Sequence, residues 1–482
     1  MKAINSIILS LLVAFLLASC GLIEKSQEKK RLNALDDALA GSVTVAVKKN
    51  KDIGKVIMGF RGAVSMEAYE QSLQLSNALS SGSGFVVEKN GKKYVVTNAH
   101  VVESADDSDG SLYVFSYNRN RYEVKLVGGD SWFDIAVLEF VDNPGNEFKT
   151  MKFAKSNPRI GEKVFAIGNP LGTKPNTVTN GMISALNRTT EGLTGKHGYL
   201  QSTATIIWGN SGGPLVNSRG EVVGVNTKID FAQGADGNDY LQQQINYSLA
   251  TEFAAEIVDD IIEHGKKQRA FLGLELSHSQ RLHRGWFSSS LGEILTPHPM
   301  LTYVFKGPNE EKLNPFLGQL LVKINGVSVS DTEAALGQFE RVKPGDKVRL
   351  VFKNKKNEEQ TIEIDAPAAK SEDNGRVAHH ALEDLFGLEV DNKSPQLRVR
   401  NPNNNASAYV LAGGNYNENF PDLWRITTEE DLGGVLRIYG LAGYIDLIIS
   451  DEPRDNDRME SLEELFTNEY VDGDTYTTKL WY

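Results

Sequence analysis

From Ser42 to about Asn226, short runs rich in β-branched and aromatic residues alternate with glycine-rich turns: SVTVAV, GFVVEK, KYVVTN, SLYVFSY, YEVKLV, DIAVLEF, KVFAIG and EVVGVN. Runs of this length and spacing predict antiparallel strands built into barrels or a sandwich. The period then changes. Phe253, Ile257 and Ile261 fall on one helical face, which predicts a helix over 250–264. A polar linker at Lys266, Lys267 and Arg269 closes this region. Residues 270–367 predict a second unit, with strands in LLVKING, KVRLVFK and QTIEIDA and a helix around Thr332 to Phe339. Beyond Ala368 a polar break leads to a third region, which ends in an acid-rich tail from Asp451.

The amino-terminal run has a different pattern. Lys2 precedes an apolar stretch from Ile7 to Leu17, too short for an ordinary membrane span, and the small residues Ala18 and Ser19 follow, as in a secretory signal. Leu17-Ala18-Ser19-Cys20 resembles a bacterial lipobox. That resemblance implies cleavage before Cys20, diacylation of its sulfur, and attachment to a membrane without a spanning helix, since each buried methylene of a lipid chain contributes about 0.8 kcal/mol. Residues Leu22 to Ala40 are charged and predict a partly helical tether.

Composition narrows the classes. A chain of 482 residues with 40% hydrophobic content exceeds one compact core and predicts about three domains. A net charge of -12 without a basic stripe argues against nucleic-acid binding. Cys20 is the only cysteine, so no intramolecular disulfide is available and stability must come from packing. Gly82-Ser83-Gly84 lacks the following glycine and lysine of a phosphate loop and reads as a flexible entry to a strand. The histidines outside the first domain show no zinc-type spacing, and no metal or cofactor is expected.

Three segments carry candidate chemistry. His100 lies in TNAHVV after a strand, Asp134 in FDIAVL at the start of another, and Ser211 in the glycine-rich turn GNSGGPL. A serine hydroxyl is a weak nucleophile at neutral pH. It needs an imidazole to take its proton and a carboxylate to fix that imidazole's tautomer and orientation. Glycines around Ser211 let the backbone N–H groups of Gly209, Asn210 and Ser211 turn toward a developing oxyanion.

TNAHVV, FDIAVL, AIGNPLG, TVTNGMISALNR and GNSGGPLVNSRGEVVGVNT resemble segments of the HtrA (Deg) proteases, strongly over residues 81–250. The resemblance implies a mainly β fold: a chymotrypsin-like double β-barrel, then a PDZ-like α/β domain, then a diverged C-terminal domain. His100 would be general base and acid, Asp134 its orienter and Ser211 the nucleophile. Regulatory loops would lie at 168–175, 188–199, 206–209 and 227–239, with a protruding insertion over 48–80. One departure stands just before the nucleophile, where Ser202 to Trp208 replaces the family's usual Thr-Asp-Ala-Ala-Ile-Asn-Pro. By the same resemblance, Thr205, Ile206 and Ile207 approach the base of the primary specificity pocket, and Asn226, Thr227, Lys228, Ile245 and Tyr247 form its walls. No acid sits at that base, so small or medium aliphatic side chains are expected over Lys or Arg.

Arg269 to Leu274 resembles the start of a PDZ domain. That implies a carboxylate-binding loop at Phe271, Leu272, Gly273 and Leu274, which would capture peptide C-termini as an added strand. The expected organisation is a signal peptide over 1–19, a tether over 20–41, a trypsin-like domain over 42–265 and a PDZ-like domain over 269–367. A C-terminal domain follows over 371–482, for which a diverged second PDZ is one reading. The expected function is serine endopeptidase action on misfolded or exposed proteins of the bacterial cell envelope, by a lipid-anchored homotrimer facing the periplasm. A non-proteolytic PDZ-containing chaperone or scaffold is the alternative.

Overall fold

The computed structural model describes residues 25–48, 78–278 and 299–385, except 103–104, 106–111, 131–132, 171–173, 191–195, 234–238 and 331, and shorter pieces between 388 and 481. The candidate lipidation site Cys20 and nearly all of the 48–80 insertion lie outside the described residues. The chain divides into two compact units, one of residues 1–188 and 198–267 and the other of residues 189–197 and 268–482.

The first unit holds two closed six-stranded antiparallel barrels. The first is built from β1 (Ser42–Lys48), β2 (Ala78–Lys89), β3 (Lys92–Thr97), β4 (Leu112–Phe115), β5 (Arg121–Asp130) and β6 (Ile135–Phe140), in the order β1-β2-β3-β6-β5-β4. It closes where Val45 of β1 pairs with Val114 of β4. Alternation makes its core: Val43, Val45, Val47, Val86, Val95, Val124 and Leu138 point inward and are buried. The second barrel uses β7 (Lys163–Gly168), β8 (Thr177–Thr190), β9 (Lys196–Ser202), β10 (Pro214–Asn217), β11 (Val222–Gln233) and β12 (Asp239–Ala250). Their order is β10-β11-β12-β9-β8-β7.

Two helices close gaps around these barrels. Residues 25–41 form helix α1, so the segment expected as a tether is docked. Arg31 lies over the Phe165 ring of β7, and the Ala34 carbonyl lies against Gly220. The helix predicted from Phe253, Ile257 and Ile261 is α2 (Thr251–His264), whose Phe253, Ala254, Ile257, Val258 and Ile261 are buried. Phe253 stacks on Phe133 at 5.4 Å, and α2 ends at Gly265 with φ 75° and an N–H bond to the Ile261 carbonyl. Gly265 in turn presses on Gly128 of β5: a Cβ on Gly128 would lie 1.8 Å from the Gly265 carbonyl oxygen.

The second unit contains an antiparallel sheet of β13 (Leu274–His278), β14 (Pro299–Val304), β15 (Leu320–Ile324), β16 (Val327–Ser328), β17 (Lys347–Lys353) and β18 (Glu359–Asp365). Helix α3 (Thr332–Phe339) accompanies it. The predicted strands in LLVKING, KVRLVFK and QTIEIDA are β15, β17 and β18. Buried Asn309 clips the sheet to the loop before β13, donating to the Leu272 and Asp365 carbonyls at 3.0 and 2.8 Å. A second sheet runs through residues 389–481. Its core joins Leu397, Val399, Val410 and Ile426 to Val377, Ala378 and Leu382, and also to Phe305, with Phe271 and Tyr303 packed against it. The last three belong to residues 270–367, so the C-terminal segment shares a core with that part of the chain.

Two predictions follow from these contacts. Gly128→Ala should lower stability by about 2 kcal/mol or more, read as a clear fall in thermal midpoint, because α2 must shift bodily. Glu147 accepts hydrogen bonds from Ser116 Oγ at 2.6 Å, Asn120 Nδ2 at 3.0 Å and Asn118 Nδ2 at 3.3 Å. The Ser116 bond, then that of Asn120, holds its carboxyl below the ordinary glutamate value. A depressed folded-state pKa gives stability that is present above the unfolded value and lost as pH falls through the folded one. Wild type should exceed Glu147→Gln by about 1 kcal/mol at neutral pH, and the gap in urea unfolding should begin to close as pH falls below the ordinary glutamate value of ~4.3 and vanish only below the depressed folded-state value.

Candidate active site

His100 sits on a one-turn helix, Ala99–Val102, whose Val101 and Val102 are buried in the first barrel's core. Those anchors leave the imidazole on the outer side, with its side chain 47% exposed. Asp134 starts the chain into β6 from the left-handed region, φ 57°, which aspartate tolerates better than bulkier residues. From there it clasps His100 twice. Oδ1 accepts the His100 backbone N–H at 2.9 Å, and Oδ2 lies 2.7 Å from Nδ1. Fully buried Asn98 donates to the Asp134 carbonyl at 2.6 Å and fixes the clasp from behind. With Nδ1 donating to the carboxylate, Nε2 is left as the acceptor.

The Ser211 turn comes from the second barrel and is seated against the first. The Ser83 N–H donates to the Ser211 carbonyl at 2.8 Å. A Cβ on Gly212, where φ is 81°, would lie 2.3 Å from the Ser83 carbonyl oxygen, 2.4 Å from Thr97 Oγ1 and 2.7 Å from the Asn98 nitrogen. Residues 97–98 lead directly into the His100 helix, so this glycine contact brings nucleophile and base together. His100 and Ser211 nevertheless share no hydrogen bond among the described contacts. Bonds of this kind are often long in unliganded enzymes and tighten around substrate.

Gly209, Asn210 and Ser211 were all expected to offer N–H groups to an oxyanion. Asn210 is a correction: its N–H donates to the Ile207 carbonyl at 3.0 Å and is therefore spent in the turn. The N–H groups of Gly209 and Ser211 make no hydrogen bond among the described residues. The unusual segment before them is firmly bonded. Thr203 exchanges bonds with Met182 of β8, through its N–H and its Oγ1, each at 3.0 Å. Thr179 Oγ1 donates to the Thr205 carbonyl at 2.8 Å, and the Ile206 N–H donates to Asn246 Oδ1 at 3.1 Å. Trp208 stands 56% exposed.

Among the expected pocket residues, Thr205, Ile207, Lys228, Ile245 and Tyr247 are partly exposed, and Lys228 pairs with Tyr247 across β11 and β12. Ile206 and Thr227 are buried. Asn226 needs correcting as a pocket wall, because its side chain is fully buried and used internally. Its Oδ1 accepts from Ser248 Oγ at 3.0 Å and its Nδ2 donates to the Pro214 carbonyl at 3.4 Å. Its backbone holds the nucleophile turn, accepting from the Gly212 N–H and donating to the Gly213 carbonyl. In the second unit, the Phe271 N–H is committed to the Pro367 carbonyl at 2.9 Å, so it too drops from the expected carboxylate donors. The N–H groups of Leu272 and Gly273 make no hydrogen bond among the described residues, and Gly273 has φ 76°. Sequence reasoning missed Ser83 and the role of Asn98, and the pocket-wall stretch from Ile245 to Tyr247 gave no sign that Asn246 holds the Ile206 N–H. For Ser83 the available signal was its two flanking glycines, which often mark close backbone approach.

Residues 82–225 match the trypsin-like peptidase domain family. The chain is 35% identical over 281 residues to the serine protease Do-like HtrB of Bacillus subtilis, covering 56% of this chain and 58% of that protein. It is 32% identical over 353 residues to a probable periplasmic serine endoprotease DegP-like of Rhizobium meliloti, covering 70% of this chain and 66% of that one. A similar protein of Chlamydia trachomatis, also named DegP-like, is 32% identical over 66% of this chain and 59% of its own. The chain thus spans about six-tenths of the length of several curated relatives. Among solved structures, an HtrA-type protease AlgW with tripeptide aligns with TM-score 0.50 and 27% identity, over 70% of this chain and 97% of that one. With two closed barrels and the His100–Asp134 pair facing the Ser211 turn, the chain belongs to the HtrA/Deg family of trypsin-like serine proteases.

Proposed function

We propose that this protein is a serine endopeptidase working through an acyl-enzyme on Ser211. The observation that carries this is the doubly bonded His100–Asp134 pair, facing a turn that leaves the Gly209 and Ser211 N–H groups unspent. Nε2 of His100 takes the Ser211 hydroxyl proton as Oγ attacks the scissile carbonyl carbon. The carbonyl oxygen becomes an alkoxide between the two N–H groups, Asp134 stabilises the imidazolium, and His100 returns the proton to the leaving amine as the C–N bond breaks. Water then repeats the sequence on the ester and frees Ser211.

The substrates we assign are misfolded or exposed polypeptides of the bacterial cell envelope, in keeping with the periplasmic names of several relatives. Capture of peptide C-termini by the PDZ-like region is supported by the unspent N–H groups of Leu272 and Gly273, next to β13, which among the described residues pairs only with β14. The pocket prefers aliphatic side chains, since a buried cation there would lack an acidic partner. Attachment to a membrane is assigned to lipid on Cys20. Among the described residues no helix is long and apolar enough to cross a membrane.

Unfolded casein should be cleaved by wild type and left intact by Ser211→Ala. Equal, undetectable cleavage by both across temperature and added C-terminal peptides would favour a scaffold. Asp134→Asn should keep the fold yet lower kcat by about 10⁴-fold through the wrong imidazole tautomer. Metabolic labelling with a radiolabelled fatty acid should mark wild type and not Cys20→Ala. Label kept by the variant would place the anchor elsewhere.

A further inference from the structure

Ser83, between two glycines on β2, is more heavily engaged than a strand entry requires. The register pairs Phe85 with Val96, so continuing it would set Ser83 opposite Asn98, one residue beyond the end of β3 at Thr97. There the first barrel's ladder runs out. The Ser211 turn of the second barrel takes the vacant place: the Ser83 N–H donates to the Ser211 carbonyl at 2.8 Å, and Thr97 Oγ1 donates to the Ser83 carbonyl at 2.8 Å.

The side chain makes two further bonds. Oγ accepts the Asn169 backbone N–H at 2.8 Å and donates its single proton to the Gly209 carbonyl at 2.7 Å. Ser83 therefore holds both carbonyls that flank the oxyanion donors. The peptide unit joining Gly209 to Asn210 is clamped at its oxygen by Ser83 and at its N–H by the Ile207 carbonyl. Gly209 has φ 93°, a conformation in which glycine meets little steric resistance to rotation. Without the clamp, the unit carrying the Gly209 N–H could turn that donor away at small cost.

We infer that Ser83 is a positioning residue for acyl transfer: its hydroxyl holds the Gly209 carbonyl so that the Gly209 N–H stays aimed at the developing oxyanion. The inference rests on the endopeptidase reading above. It also gives the 168–175 loop a physical link to the oxyanion turn, since the Asn169 N–H at its start sets the direction of the Ser83 hydroxyl. Three glycines make room for the arrangement. A Cβ on Gly168 would lie 2.9 Å from Ser83 Oγ, one on Gly213 3.0 Å from Ser83 Cβ, and one on Gly212 2.3 Å from the Ser83 carbonyl oxygen.

The test uses the full-length protein as wild type, Ser83→Ala, Ser83→Cys and Ser42→Ala. Ser42 also buries a hydroxyl bonded to a carbonyl, that of Ala38 at 2.9 Å, and so controls for loss of one buried bond. Each is assayed for kcat and KM on unfolded casein, for the rate of labelling by a fluorophosphonate, and for thermal midpoint. Loss of a whole oxyanion donor costs about 10²- to 10³-fold, so loss of its support should cost about 10- to 100-fold in kcat and labelling rate. KM should stay within about twofold, because the donor acts on the transition state. Ser83→Cys keeps the shape but donates weakly, and should fall between wild type and Ser83→Ala, also if the alanine variant folds poorly. Ser42→Ala should lose a similar thermal increment with near wild-type rates. Folded Ser83 variants reacting within about threefold of wild type would overturn the inference alone, as would an equal rate loss in Ser42→Ala. A wild type inert to both casein and fluorophosphonate would overturn the endopeptidase reading and the inference with it.

Discussion

The active site depends on how closely two barrel ends can approach. Gly82, Gly168, Gly212 and Gly213 all lie where a Cβ would meet another segment at 3.0 Å or less. At Gly212 and Gly213 the nearest atoms are carbonyl oxygens, which cannot move aside as a flexible side chain can. Backbone-to-backbone contact of this kind fixes the distance between segments far more tightly than side-chain packing, where a rotamer change absorbs a few tenths of an ångström. Near-attack geometry tolerates little more than that. Glycine at these positions is therefore a requirement of the chemistry as much as of the fold.

That contact sets what each barrel must supply. The first barrel gives the His100–Asp134 pair, held by Asn98 behind Asp134 and by Val101 and Val102 in the core. The second gives the Ser211 turn, held by the backbone of Asn226 from within its own sheet. At the junction β3 stops at Thr97, and the Ser211 carbonyl takes the Ser83 N–H beyond it. Ser83, itself held by Thr97 Oγ1, bridges the two with bonds of 2.7 to 2.8 Å to Gly209, Ser211 and Asn169, so alignment of nucleophile with base and shape of the oxyanion turn share one support. Partly buried hydrogen bonds of this sort are strongly directional and costly to leave unmade.

Much of this was legible in the residues. Short β-branched runs between glycine-rich turns announce the strands, the 3.6 period at Phe253, Ile257 and Ile261 announces α2, and the motifs around His100, Asp134 and Ser211 announce the triad. What could not be read is which polar groups spend their hydrogen bonds internally. Asn210 and Phe271 have the expected positions, but their N–H groups are used by Ile207 and Pro367 carbonyls. Asn226 sits on the strand expected to wall the pocket, yet strand pairing turns its amide inward to Ser248 and Pro214. Gly82-Ser83-Gly84 was read as flexible because glycine permits many conformations. In the fold the same glycines serve closeness, and closeness holds the segment still. Local sequence reports what a residue can do, and long-range partners decide which option is taken.

The same distinction between spent and unspent donors organises the start of the second unit's first sheet. Phe271 and Leu272 are neighbours in the chain, yet they belong to different cores: Leu272 packs with the β13–β18 sheet, and Phe271 packs with Phe305 against the core of the C-terminal segment. Tyr303 and His380 stack at 3.5 Å on that second side, and His380 Nε2 lies 3.4 Å from Glu275 of β13. Adjacent side chains held in two cores leave the intervening peptide little rotational freedom. The N–H groups of Leu272 and Gly273 are thus oriented without being consumed. Donors fixed in this way would lose little conformational entropy on meeting an acceptor, which is what the proposed capture of a peptide carboxylate requires. The C-terminal segment contributes to this fixed geometry by packing alone, through the core it shares with Phe271, Tyr303 and Phe305.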